Sequence, residues 1–250
     1  MNASDLTPFF SERLAEIDSY LGFLHEIEVA TRSGVPRLNG SESPISVEQQ
    51  RILYSSVYLQ LYNLVEATVS RCIEAITDAA AYPNGSWRPG DLNASLRAEW
   101  VRHTARTHLD LTPDNRLKSA VAMCDHLIDQ LPIAEFSIEV GGGGNWDDDA
   151  IEKISARIGC TLKISSEARA AIKRPRRDDL GALKLVKDRR NSLAHGSISF
   201  VDCADGVTVD ELRQVADAIA GYLREAVECF ASYVDLREYL RPDFKPTGAA

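Results

Sequence analysis

From Ser46 to Ala80 the chain contains no glycine or proline. Leu53, Val57, Leu61, Leu64, Val65, Cys72 and Ile76 recur there at helical spacing, and Leu59 and Ile73 add apolar positions on a second side. Ser46-Val47-Glu48-Gln49 opens the stretch as a capping box, in which the serine and glutamine side chains satisfy each other's backbone N–H groups. A helix of roughly 33 residues, about 50 Å long, with more than one apolar side cannot lie on a surface. It has to be the central member of a helical bundle, and the rest of the chain has to wrap it.

The flanking sequence supplies further helices. Thr7 and Pro8 suit a helix start, and Phe10, Leu14, Ile17, Leu21 and Leu24 continue it until Gly34 and Pro36. Residues 33–45 read as a loop and 82–92 as a linker rich in Pro, Gly and Asn. Two shorter helices are expected near 93–108 and 113–131, the second begun by Thr112-Pro113. Phe136, Ile138 and Val140 then alternate before the run of four glycines from Gly141 to Gly144. Asp147, Asp148 and Asp149 suit the positive end of a helix that stops at Gly159. Pro175 breaks a basic segment, and Asp178 is expected to open a helix carrying Leu180, Leu183, Val186 and Leu193.

Ser197 to Val209 alternates apolar and polar residues around Asp205-Gly206, which predicts a β-hairpin. A second capping box, Thr208 to Glu211, starts a last helix running to about Leu240 and ended by Pro242. The expectation is a single all-α domain over 1–250 with long central and C-terminal helices and a small β-hairpin ornament. Its core spans about 46–240, with an N-terminal helix and loop at 1–45 and a tail at 241–250.

Composition narrows the function classes. No stretch of about 18 apolar residues exists, and no basic-then-apolar leader opens the chain, so a cytoplasmic protein with no membrane partner is expected. Cys72, Cys124, Cys160, Cys203 and Cys229 are odd in number and widely spaced, which reads as core thiols in a reducing compartment. The net charge of −9 argues against bulk coating of nucleic acid, yet Lys163 to Arg190 holds ten basic and four acidic residues. A basic island on an acidic body focuses a polyanion at one place.

The four-glycine run lacks the Gly-Lys-Ser/Thr ending of a phosphate loop. His103, His108, Cys124 and His126 have no paired metal-ligand spacing, so neither a cofactor nor a metal is implied. Chemistry concentrates instead in Arg190-Asn191-Ser192-Leu193-Ala194-His195, which puts an always-charged phosphate binder five residues from an imidazole. On a straight helix those two side chains point about 140° apart, with about 7.5 Å of rise between them. Either the last turn loosens where Gly196 ends it, or the working group is assembled from two chains.

Asp188-Arg189-Arg190-Asn191-Ser192-Leu193-Ala194-His195-Gly196 resembles the Arg–His signature of HEPN domains (higher eukaryotes and prokaryotes nucleotide-binding). Leu61-Tyr62-Asn63-Leu64-Val65-Glu66-Ala67 and Gly144-Asn145-Trp146-Asp147 resemble a bacterial branch often encoded beside defence or toxin–antitoxin genes, and the likeness covers about 46–240. The resemblance implies a HEPN-like bundle acting as a homodimeric, metal-independent endoribonuclease, a hydrolase-class toxin or anti-phage effector held by an antitoxin or defence-system partner. Its RNA substrate would be cut by attack of the ribose 2′-hydroxyl, leaving a cyclic phosphate.

Arg190 and His195 match the family's pair, with Asn191 as an orienting group. Glu66 is the candidate to face Arg190 in an ion pair. Lys187, Arg189, Arg174, Arg176 and Arg177 are the candidates for RNA attraction. The rival reading is a non-catalytic HEPN-like module that dimerises or binds a partner protein.

Overall fold

The computed structural model describes residues 3–37, 43–81, 86–140 and 145–245. Nine α-helices lie among the described residues: α1 (Leu6–Ser33), α2 (Val47–Ala80), α3 (Ala94–Thr104), α4 (Pro113–Ile128), α5 (Asp148–Ile158), α6 (Ser166–Lys173), α7 (Ala182–Ala194), α8 (Phe200–Cys203) and α9 (Val209–Asp235). They form no sheet; the described residues pair as strands only at two isolated bridges, Arg37 with Pro44 and Leu92 with Leu240.

The Gly- and Pro-free stretch is the central helix, and α1, α7, α8 and α9 all pack on it. Val57, Leu61, Val65 and Ile76 are fully buried along it. Each aliphatic side chain buried in this way contributes about 1.5–3 kcal/mol. Both expected capping boxes are formed: Ser46 with Gln49 starts α2, and Thr208 with Glu211 starts α9. Leu6, Phe10, Leu21 and Leu24 of α1 join the same apolar cluster that reaches Leu240, so the first helix is part of the core.

Away from this body, α3 packs on α5 and α4. Glu99 on α3 is buried and pairs with Arg102 and with Arg157 of α5, whose Nε lies 3.0 Å from Oε1. Asn93 caps α3 and donates to the Tyr233 hydroxyl, which itself donates to the Ile158 carbonyl; three helices meet at that tyrosine.

Several expectations are corrected. No hairpin forms at 197–209: Ser199 caps the short helix α8, and Asp205-Gly206 turns from α8 into α9, with Gly206 at φ 62°. That turn is a helix-to-helix connection because Arg177 donates to both of its carbonyls and Arg51 pairs with Asp205. The helix expected from Asp178 starts at Ala182, since Asp178 and Asp179 both have positive φ.

Gly181 precedes α7 because a Cβ there would lie 2.6 Å from the Ile172 carbonyl oxygen. The short helix α6 has no counterpart in the sequence reading; α3, α4 and α9 end a few residues before their expected limits. Cys124 is exposed rather than a core thiol, and all five cysteines are free. The four-glycine run and residues 82–85 of the linker lie outside the described residues.

Candidate functional site

Tyr62 is where the three motif stretches meet. It sits on the inner face of α2, 2% exposed, and accepts a hydrogen bond from the Trp146 N–H at 3.2 Å. The guanidinium carbon of Arg190 lies 4.5 Å from the centre of its ring, a cation–π geometry. Arg190 Nη1 donates to Asn191 Oδ1 at 2.9 Å, and Asn191 Nδ2 donates to Asn145 Oδ1 at 3.0 Å. A guanidinium can only donate, so Asn191 must turn its oxygen to Arg190 and its amide nitrogen to Asn145.

The circuit therefore closes: Tyr62, Trp146 with its neighbour Asn145, Asn191, Arg190, and back to Tyr62. Asp147 anchors it, capping α5 through one carboxylate oxygen and pairing with Lys187 of α7 through the other. Burial pushes the Tyr62 hydroxyl pKa upward, against the opposing pull of the Trp146 N–H. The tyrosine stays neutral, able to accept from Trp146 and to offer its ring face to a cation.

His195 is placed differently. It is the C-cap of α7, exposed, and its side chain has no partner among the described residues. The helix does not loosen before it, because its N–H still bonds the Asn191 carbonyl at 3.0 Å. Beyond it Gly196 takes φ 69°, and the N–H groups of Gly196 and Ser197 return to the carbonyls of Leu193 and Ser192. This Schellman ending halts the helix and leaves the imidazole at its tip. Arg190 packs half-buried over the Tyr62 ring while His195 is exposed at the helix end.

The expected Glu66–Arg190 ion pair is not formed. Glu66 lies one turn beyond Tyr62 on α2, half-buried, and acts on the Tyr62 hydroxyl through its charge. Tyr62 occupies the position over Arg190 that the carboxylate was expected to take.

A family model described as HEPN_MAE_28990-like HEPN matches residues 3–239. The chain belongs to this HEPN family. The match takes in α1 as well as the residues from Ser46 onward. Comparison with curated proteins and with solved structures returned no match.

Against this HEPN frame the basic island is largely committed to holding the fold. Lys187 pairs with Asp147, and Arg189, whose side chain is 16% exposed, pairs with Asp178. Arg177 pins the Asp205-Gly206 turn and approaches Glu211, while Arg176 donates to the Gln214 carbonyl at 2.9 Å. Of the five cations proposed to attract RNA, Arg174 alone is exposed without a side-chain partner among the described residues.

Asp147, Asp148 and Asp149 bring carboxylate oxygens within 4.8 Å of one another. Lys187, Lys173 and Lys184 face them one for one, so their charge is already matched. No helix among the described residues is long and apolar enough to cross a membrane.

Sequence reading missed Tyr62, Asn145 and Asp147 as site residues. Their signal was present: all three lie in the stretches that resemble the family.

Proposed function

We propose that this HEPN protein is a metal-independent endoribonuclease whose working site combines Arg190 of one copy with His195 of a second. Family membership supports a nucleotide-binding or RNase-like module. The observation that carries the finer reading is the Tyr62–Asn145–Asn191–Arg190 circuit. It orders a half-buried guanidinium, with one of its five N–H donors given to Asn191, four residues before the end of a helix tipped by an exposed, unpartnered imidazole.

In the proposed reaction neutral His195 takes the proton of the ribose 2′-hydroxyl. The 2′-oxygen bonds to the adjacent phosphorus, and Arg190 stabilises the negative charge that builds on the non-bridging oxygens. The bond to the 5′-oxygen breaks, that oxygen takes a proton from solvent or from a protonated imidazole, and a 2′,3′-cyclic phosphate remains. A planar, permanently charged fork suits the phosphorane better than an ammonium does. A two-fold axis passing between the α7 tips would build two such sites in one cleft.

The test is RNA cleavage by folded Arg190→Ala and His195→Ala proteins. Each should lose about 10²–10⁴ in rate, activity should survive EDTA, and the product should carry the cyclic end. Wild-type cleavage by either variant sinks the assignment. The rival reading, a partner-binding module without catalysis, is favoured by the internal pairing of most basic-island cations. A ribonuclease effector slows growth when expressed and a scaffold does not, so a growth assay of wild type against His195→Ala separates them. A toxin or anti-phage role, with an antitoxin or defence-system protein as partner, belongs to the first reading and rests on the same assay.

A further inference from the structure

Helix α4 has no buried residue. It packs on α3, and its half-buried residues are Ser119, Met123 and His126, the last with its ring 5.3 Å from that of Trp100. At about 100° per residue those three share one side of the helix. Leu117, Val121, Cys124 and Ile128 fall on the opposite side, at steps of four, three and four residues. Leu117 is 66% exposed, Val121 49% and Ile128 75%. An outward face ought to be polar; this one carries the seam spacing of a coiled coil.

We propose that the outer face of α4 docks on α4 of a second copy, laid antiparallel. The flanks of the stripe specify that occupant. Lys118 and Asp125 border it on one side, Ala120 and Leu127 on the other. Under a two-fold axis near the middle of the helix, Lys118 of each copy meets Asp125 of the other, and Ala120 meets Leu127. In the seam Val121 packs on Cys124 and Leu117 on Ile128. The face is thus complementary to itself in both apolar pattern and charge.

A parallel pairing would set each charge beside an apolar flank instead. The like-charged contacts of the antiparallel form, Asp114 with Asp129, fall at the two solvent-exposed ends, where salt screens them.

A helix of 16 residues is about 24 Å long. Pairing over that length lies at the small end of specific interfaces, below about 1,200 Å², so the association is weak and depends on concentration. It stands apart from the nuclease reading, because α4 carries none of the residues of the Arg190 circuit.

The test uses the whole chain. Val121→Cys, treated with the thiol oxidant diamide, should give a disulfide-linked dimer joining the introduced thiol to Cys124 of the second copy, and adding Cys124→Ser should abolish it. Sedimentation velocity reads the affinity: Val121→Asp should raise Kd at least about tenfold. Lys118→Asp should weaken association, and the Lys118→Asp/Asp125→Lys double reversal should restore it.

These positions face water, so circular dichroism should be unchanged. Absence of the cross-linked dimer in the folded variant overturns the proposal. So does a Kd that Val121→Asp leaves unmoved, or a double reversal that restores nothing. Flotation with phosphatidylserine vesicles that Val121→Asp abolishes would also overturn it, assigning the face to lipid.

Discussion

Tyr62→Phe and Tyr62→Leu separate the two jobs of one side chain. The hydroxyl is the acceptor for the buried Trp146 N–H, and the ring is the platform for Arg190. Phenylalanine keeps the ring and removes the acceptor, leaving a buried donor unsatisfied at a cost of about 1–3 kcal/mol. For a chain of this size each kcal/mol moves Tm by about 2–4 °C, so the drop should be about 2–12 °C. Arg190 keeps its platform, and kcat for RNA cleavage should stay close to wild type.

Leucine removes the platform as well. A desolvated cation–π contact is worth about 1–2 kcal/mol; if that positions Arg190 in the transition state, kcat should fall a further 5- to 30-fold, roughly. Thermal melts and single-turnover cleavage on both variants measure the two effects. An unchanged Tm for Tyr62→Phe, or equal kcat for the two variants, would refute the reasoning.

Other sites test the frame that holds the circuit. Glu99→Gln should cost about 1.5–3 kcal/mol in urea unfolding, the worth of hydrogen bonds to a charged group, because Glu99 ties α3 to α5 through Arg157. Gly181→Ala should destabilise by about 1–3 kcal/mol, since the new methyl meets the Ile172 carbonyl and forces α6 and α7 apart; a neutral result would mean the junction can relax. Ser165 holds the Glu225 carboxyl below the ordinary glutamate range, its N–H and hydroxyl donating at 2.6 and 2.7 Å. A depressed folded pKa means this stability is present above the unfolded value and is lost as pH falls through the folded one. The stability gap between wild type and Glu225→Gln should therefore be widest near neutral pH and close on acidification.

The long central helix and both capping boxes were legible because their signals are local: an unbroken apolar period, and side chains reaching three residues along. The misread hairpin had a local signal too, alternation around Asp205-Gly206, but Arg177 and Arg51 reach across from other elements and fix a helical connection. Helix α6 escaped notice because eight residues between Ser165 and Arg174 hold too little pattern.

At the site, the Arg190-to-His195 string and the two companion stretches were visible, but their convergence was not. Whether Tyr62 or Glu66 meets Arg190 depends on how α2 and α7 cross, and both residues share one face of α2. An offset of about 140° between Arg190 and His195 followed from spacing alone, and the intact α-helical bond to the His195 N–H preserves it.

Mixing the Arg190→Ala and His195→Ala proteins tests the proposed two-chain site most directly. Arg190→Ala keeps His195, and His195→Ala keeps Arg190. If each site draws one residue from each copy, half of the re-formed dimers carry one intact site, and cleavage should recover to about a quarter of wild type. Recovery no greater than the two variants show separately would contradict a site shared between chains.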